Sequence, residues 1–397
     1  MLEESKIILK EIISKKDISF LVFALSLFLL PLSINLSTFT FILSVVLKLI
    51  QVGLKRDKLF QSKALKNSAI IGLIFFIYIE INSILQSGIL NHVLQFEKLY
   101  MHFALLFITP ILLRKKRENK LLLYALFLGL IVAVVYVFLY VVFNNMTFDK
   151  HAFTNILDLH HTYLSMFILT FVNYCFVQII TNKENKSIGP KIFFFVLTVI
   201  SVVLMYLLDS KVGMLIFLIL FIVHSLPELS KKNRWYYVSF LLLILVVLSL
   251  FTNKVNVNYL RALDFRLEIW EVSFKIFEDN PVFGDLSLPE KDIINYNHYL
   301  NGKYYYLDSD LNSHNQYLSI LMRFGFIGFL ILFFYGVNVF RKTNPKTQRL
   351  DVREFFGFLI ISLIVCYIEN ILDRHHGIVY ITIFYNYYLV AIENAEN

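Results

Sequence analysis

Apolar runs of membrane-crossing length recur along almost the whole chain, and this recurrence limits the possible folds more than any motif does. A helix needs roughly 20 mostly apolar residues to cross the hydrocarbon of a bilayer. Twelve such runs can be marked, at 18–34, 36–52, 68–86, 96–113, 121–143, 160–181, 192–208, 212–227, 236–252, 316–340, 355–370 and 378–393. Backbone groups in hydrocarbon must find partners within their own segment, so runs of this kind fold as helices. The chain is therefore expected to be all-α: a polytopic transmembrane bundle of about twelve helices in a single integral domain, residues 1–397. The runs at 212–227 and 355–370 are short, which leaves a re-entrant pair open. Composition agrees, with 58% hydrophobic and only 17% charged residues. Soluble chains hold about 25% charged residues, and one core could not hide this much apolar surface.

The formal charge of +8 raises the question of nucleic acid. Its distribution answers against that partner. Of 37 Lys and Arg, 26 fall in the segments 1–17, 48–67, 114–120, 182–191, 228–234 and 341–353, the N-terminal segment and every second connection after it, which all lie on one side of the membrane. Basic residues confined in this way orient helices in a bilayer and do not form a basic face. Both termini are then expected on the cytoplasmic side of a bacterial inner membrane. The long connection 253–315, between the ninth and tenth runs, is expected to face out. Cys175 and Cys366 both fall inside runs and give neither a disulfide framework nor metal-ligand spacing. No metal site and no cofactor are expected. The second run follows the first directly, without a small-residue cleavage site, so the first reads as a retained helix.

The connection 253–315 is the largest departure from membrane composition. It opens with helical periodicity from Leu260 to Glu278. Leu263, Leu267, Trp270, Phe274 and Phe277 make one apolar stripe, while Asp264, Glu268, Glu271, Lys275 and Glu278 make another face. Such an amphipathic helix suits the membrane surface. Asn280-Pro281 stops it and Gly284 permits a turn. The Tyr- and Asn-rich stretch Asn295–Asn312 reads as irregular, a lid or a contact for an acceptor.

Five places could carry chemistry. Arg266 sits about 60° from the apolar stripe and away from the acidic face, which leaves it no carboxylate partner on its own helix. A guanidinium there suits a phosphate or diphosphate gripped bidentately, or simply snorkels to lipid headgroups. Arg261 points elsewhere and is the weaker candidate. His314-Asn315 stands where the connection re-enters the bundle, and a neutral imidazole there can accept a proton from a hydroxyl. Asn315 can orient a partner or a sugar, and water or backbone would equally satisfy the histidine. His160-His161, with Tyr163, opens the sixth run, and adjacent histidines do not share a helix face as metal ligands would. Asp209-Ser210-Lys211 interrupts an apolar stretch as a charged turn, or offers a cation to an anionic lipid. Glu369 and Arg374 flank the last outer turn, where they pair with each other or Arg374 serves the same anionic site. No phosphate-binding Gly loop, nucleophilic Ser elbow or Cys/His cluster accompanies them. Every candidate falls on the outer side.

These residues resemble a known family. His314-Asn315, nine residues, then Gly325-Phe326-Ile327-Gly328 is similar to the His-[Asn/Ser/Gln]-x9-Gly-x-x-Gly motif of bacterial O-antigen ligases and polymerases. Arg266-Leu267-Glu268-Ile269-Trp270 resembles their Arg-x-x-x-Trp element, and Asn280-Pro281-Val282-Phe283-Gly284 their Asn-Pro-apolar-Phe-Gly turn. The motifs span about 60 residues; elsewhere only hydropathy and helix number agree. The resemblance implies metal-independent transfer of a glycan from an undecaprenyl-diphosphate carrier to an acceptor hydroxyl at the periplasmic face. The acceptor would be a lipid A-core or another glycan or protein. His314 would be the general base and Arg266 would stabilise the diphosphate leaving group. Lys211, Arg374, Arg261, His161, Asn315 and Trp270 would shape the substrate site. Relatives often carry Ser-Arg where this chain has Ser210-Lys211, so bidentate geometry is lost there. The Glu369–Gly377 stretch resembles a Glu-x-x-Leu-x-Arg-x-x-Gly element of some members. A polymerase or a protein O-oligosaccharyltransferase shares these motifs. A lipid-linked oligosaccharide flippase would instead line mid-span positions with charge, and an O-acyltransferase would want a histidine deep in a span.

Overall fold

The computed structural model describes residues 2–14, 17–55, 58–181, 188–226, 257–307, 311–338 and 350–393. All regular structure among them is helical. The helices of the first half are α1 (Leu2–Ser14), α2 (Ile18–Leu29), α3 (Ile34–Lys55), α4 (Lys63–Ser87), α5 (Ile89–Leu99), α6 (Leu105–Leu112), α7 (Lys116–Phe143), α8 (Lys150–Leu157) and α9 (His161–Phe176). They are followed by α10 (Ile188–Leu207), α11 (Lys211–Ser225), α12 (Val257–Asp279), α13 (Glu290–Leu300), α14 (Gln316–Val337), α15 (Leu350–Ile368) and α16 (His375–Glu393).

Among the described residues, six helices are long and apolar enough to cross a membrane: Ile34–Leu54, Lys63–Ser87, Lys116–Phe143, His161–Ile180, Ile188–Leu207 and Gln316–Val337. Ile18–Leu29, Met101–Leu112 and Lys211–Ser225 are apolar but shorter. The expectation of twelve spans is thus met in part, and the differences have local causes. The first run stops near Pro31, where proline cannot continue the hydrogen-bond ladder. The run at 96–113 breaks at Tyr100 into α5, a 3-10 turn (Met101–Ala104) and the short α6. The run at 236–252 lies outside the described residues.

The helices sort by depth. α16 is buried along nearly all its length, and 78% of the α9 span is covered against 22% for α10. α9 packs on α10, α11 and α15, while α16 packs on α4, α6 and α15. Phe193, Phe195, Val199 and Val203 of α10 point outward. An apolar outer surface is stable only against lipid, so the packing and the hydropathy together make this a membrane bundle.

The long connection is more ordered than its sequence suggested. Helix α12 falls where the periodicity placed it. However, Asn295–Asn312 is not simply irregular: α13 covers its first residues and a 3-10 turn spans Tyr304–Tyr306. Pro289 precedes α13, and Glu290 and Asp292 stand in its first turn, where the helix dipole favours acids. Ile293, Ile294 and His298 share its inner face and close a small core with Ile269, Val272, Ile276, Tyr306, Leu311 and Met322. The α12 face that packs inward is therefore Ile269, Val272 and Ile276. The stripe read from the sequence stays open, with Leu267 and Phe274 about half exposed.

One backbone joint fixes this connection to the bundle. α14 breaks at Gly325, whose φ of +62° and ψ of −168° belong to a region essentially closed to side chains. The break frees amides that the Asn280–Gly284 turn then satisfies. Phe326 N–H donates to Pro281 O at 2.8 Å and Ile327 N–H to Val282 O at 3.2 Å, while Met322 O accepts from Asp285 N–H at 2.8 Å. Gly284, at φ +71°, lies so close that an added Cβ would sit 2.4 Å from the Arg323 carbonyl carbon. α4 straps the joint from the other side. Tyr78 Oη donates to Phe324 O at 2.7 Å, and Asn82 Nδ2 donates to Phe283 O at 2.7 Å.

Candidate functional site

His314 sits on a tight turn between the connection and α14. Its φ of +43° is left-handed, an unusual conformation for a residue with a Cβ. The turn is held from several directions. His314 N–H donates to Asn312 Oδ1 at 3.1 Å. Ser313 N–H donates to Glu290 Oε1 at 2.8 Å, and Asn315 N–H to Asn370 Oδ1 at 2.8 Å. Trp270 Nε1 donates to the Ser313 carbonyl at 2.9 Å. Asn315 caps α14, its Oδ1 accepting from the amides of Tyr317 and Leu318 at 3.0 and 3.2 Å. A capping amide of this kind satisfies amides the helix start would otherwise leave orphaned.

Of the expected catalytic and substrate-binding residues, His161, Lys211, Arg266 and His314 line one cavity of about 360 Å³. Its upper wall is polar and also carries His160, Asp209 and Glu369; Met166, Leu169 and Ile216 make the lower wall apolar. Trp270 and Asn315 do not line it, and their hydrogen bonds go to the His314 turn and the α14 start. Arg374 is exposed and also lies off the cavity wall, although its charge reaches His160. Arg261 belongs to α12, and its side chain lies outside the described residues.

Sequence reasoning set Glu369 opposite Arg374; the structure gives it a different partner. His314 Nδ1 lies 3.3 Å from Glu369 Oε2. The two residues are separated by 55 positions, a pairing no local spacing reveals. Arg266 Nη1 stands over the same turn, 3.5 Å from the Ile368 carbonyl. Burial alone would raise the Glu369 carboxyl. The His314 hydrogen bond and the charges of His314, His160 and Arg266 outweigh it and hold Glu369 below the ordinary carboxylate value. Burial is also the main reason His160 is pushed down. Asp209 shares the rim, and its carboxylate pairs with Lys150 at 3.1 Å. The cavity thus assembles a guanidinium, an ammonium and a histidine–carboxylate pair above an apolar floor.

Beneath the cavity lies a buried polar network that the sequence did not announce. Arg323 Nη1 donates to Asp373 Oδ1 at 2.7 Å and lies 3.7 Å from Glu290 Oε2. Burial opposes the Asp373 charge, but Arg323 and His102 overcome it and hold that carboxyl well below its usual range. Among the described residues, no cluster of His, Cys, Asp and Glu could hold a metal ion.

The match to known families falls on this part of the chain. Residues 196–333 match the family model described as O-Antigen ligase. Over this segment the chain is similar to the O-antigen ligase superfamily. The matched stretch includes Lys211, Arg266, Trp270, the Asn280–Gly284 turn, His314 and Gly325, so the motifs read from the sequence lie inside it. His161, Glu369 and Arg374 lie outside it. No curated protein matches the chain. The match supports a membrane enzyme of the O-antigen ligase and polymerase type.

Proposed function

We propose that the chain transfers a glycan from an undecaprenyl-diphosphate carrier to an acceptor hydroxyl on the periplasmic face of the bacterial inner membrane. The observation that carries this reading is the joint placement of Arg266, Lys211 and the His314–Glu369 pair on one cavity. A diphosphate is already a good leaving group, so the enzyme must supply one proton acceptor and charge to offset the departing oxygen. With Nδ1 turned to Glu369, His314 holds its proton there and leaves Nε2 as the base. Nε2 takes the acceptor hydroxyl proton as that oxygen bonds to the anomeric carbon. The bond from the anomeric carbon to the diphosphate oxygen breaks, and the diphosphate leaves with the electron pair beside Arg266 and Lys211. The apolar wall below suits the first prenyl units.

Ligase, polymerase and protein O-oligosaccharyltransferase share this chemistry and differ in the acceptor. We favour the ligase reading, with a lipid A-core or related glycan as acceptor. Deletion of the gene separates the three. Loss of attached glycan with carrier-linked polymer retained supports the ligase, a single attached repeat supports the polymerase, and loss of glycan from protein alone supports the third. The mechanism is tested by His314→Ala, expected to abolish transfer with normal membrane insertion, and by Arg266→Lys, expected to fail for want of a planar fork. Full surface-glycan profiles from both variants would remove the site.

A further inference from the structure

The Glu290 carboxylate is buried, charged and outside the cavity, yet it touches both turns that build the reacting pair. It comes from the first turn of α13, in the long connection. Its Oε1 accepts from Ser313 N–H at 2.8 Å and from Asn370 Nδ2 at 2.8 Å. Its Oε2 accepts from the Ser319 hydroxyl and faces Arg323 Nη1 at 3.7 Å. Ser313 and Asn370 are the immediate neighbours of His314 and Glu369. Asn370 completes the link from its side, with Oδ1 accepting from Asn315 N–H at 2.8 Å and from Ser313 Oγ at 3.1 Å. The histidine and its carboxylate reside on separate segments, 55 positions apart, and they meet at a long 3.3 Å. Their relative position is therefore set by what ties the two turns together.

We infer that Glu290 is a positioning residue for this reaction: α13 docks its carboxylate between the His314 and Glu369 turns and, with Asn370, fixes the geometry of the pair. This rests on the proposed role of His314. Two features separate it from ordinary packing. A buried carboxylate must be matched by donors, and here the donors are the backbone and side chain next to the two reacting groups. The carboxylate is also delivered by the connection, so the pair is in register only when that segment is docked. A displacement of about 1 Å at a reacting group costs about 100-fold in rate.

The test is Glu290→Gln in purified full-length protein, assayed with lipid-linked glycan extracted from membranes of a deletion strain and the same strain's acceptor. Gln keeps one carbonyl oxygen but sets an amide donor against Arg323 and removes the charge. The expected result is a fall in kcat of about 10- to 100-fold with the KM for the lipid-linked donor changed by less than about twofold. Asn370→Asp breaks the same link from the other side by facing two carboxylates, and should lose kcat alike. Wild-type kcat per folded molecule in both single variants would overturn the inference. So would a rise in donor KM at unchanged kcat. If Glu290→Gln does not fold, Asn370→Asp decides alone: a fall in kcat at unchanged donor KM supports the link, and wild-type kcat or a raised donor KM at unchanged kcat overturns it. His314→Ala is run in parallel. An active His314→Ala sinks the reaction assignment itself, whereas an inactive one beside fully active Glu290→Gln and Asn370→Asp sinks only the positioning role.

Discussion

The long connection is fastened to the bundle at two joints, and they are built from different materials. At Gly325 the joint is backbone on backbone: two glycines at positive φ let the Asn280–Gly284 turn lend its carbonyls to a broken helix. At Glu290 the joint is side chain on backbone: one carboxylate collects donors from two turns and from α14. The first joint sets where the connection sits. The second sets how His314 meets Glu369. Damage to the first should therefore appear as lost folding, and damage to the second as lost turnover in a folded protein.

The largest effect is expected from Gly325→Ala. A Cβ there would stand 2.4 Å from the Val282 carbonyl oxygen, on a backbone conformation that only glycine tolerates. Strain and clash together cost about 3–5 kcal/mol. The thermal midpoint in detergent should drop by about 4–6 °C or the protein should fail to accumulate in the membrane. A midpoint within a degree or two of wild type would mean the two joints do not divide the labour in this way.

A smaller effect is expected from Trp270→Phe, which acts on the second joint. The ring packing against Tyr367 is largely kept, but the 2.9 Å hydrogen bond to the Ser313 carbonyl is lost. Stability should fall by about 1 kcal/mol, the usual worth of one such bond. Turnover should fall about 3- to 10-fold, more than so small a destabilisation would produce in a folded population. Equal and minor losses in both would place Trp270 with the scaffold and not with the reacting pair.

The two joints also differ in how far the sequence revealed them. Glycine and proline have few structural uses, so Asn280-Pro281 and Gly284 could be read as stop and turn before any fold was known, whereas Gly325 stood only in a motif and its break in α14 went unread. The spans were legible for the same reason: hydropathy of this extent has one stable solution. Glu290 carried no such mark, since a glutamate after a proline reads as an ordinary first-turn acid. Asn315 stood in a motif as a substrate contact, and the sequence did not show that its Oδ1 also caps α14. Helix α13 was hidden by Asn and Tyr, whose weak helix propensity yielded to the burial of Ile293 and Ile294. The His314–Glu369 contact spans 55 positions and exists only because two turns pack together.

pH separates the connection's own core from the site it serves. His298 is fully buried against Tyr306, and neither ring nitrogen has a hydrogen-bond partner. Burial pushes its pKa below the ordinary value. With the folded value below the unfolded one, near 6.5, its contribution is whole above about pH 6.5 and is lost as pH falls toward the folded value. Glu369 is also held low, so what it contributes is whole above about pH 4.3 and is lost only below that. On acidification the small core of α12 and α13 should loosen first, and the His314–Glu369 pair later. Hydrogen exchange at pH 7.5 and 5.5 should show amides of Glu290–Leu300 gaining exchange while those of α16 stay protected. His298→Leu should remove the difference at Glu290–Leu300 and raise stability slightly, by at most about 1 kcal/mol, because an unpartnered imidazole gives way to an apolar group. If exchange in α13 keeps its pH dependence in that variant, His298 is not the source of the acid sensitivity and this order of loosening does not hold.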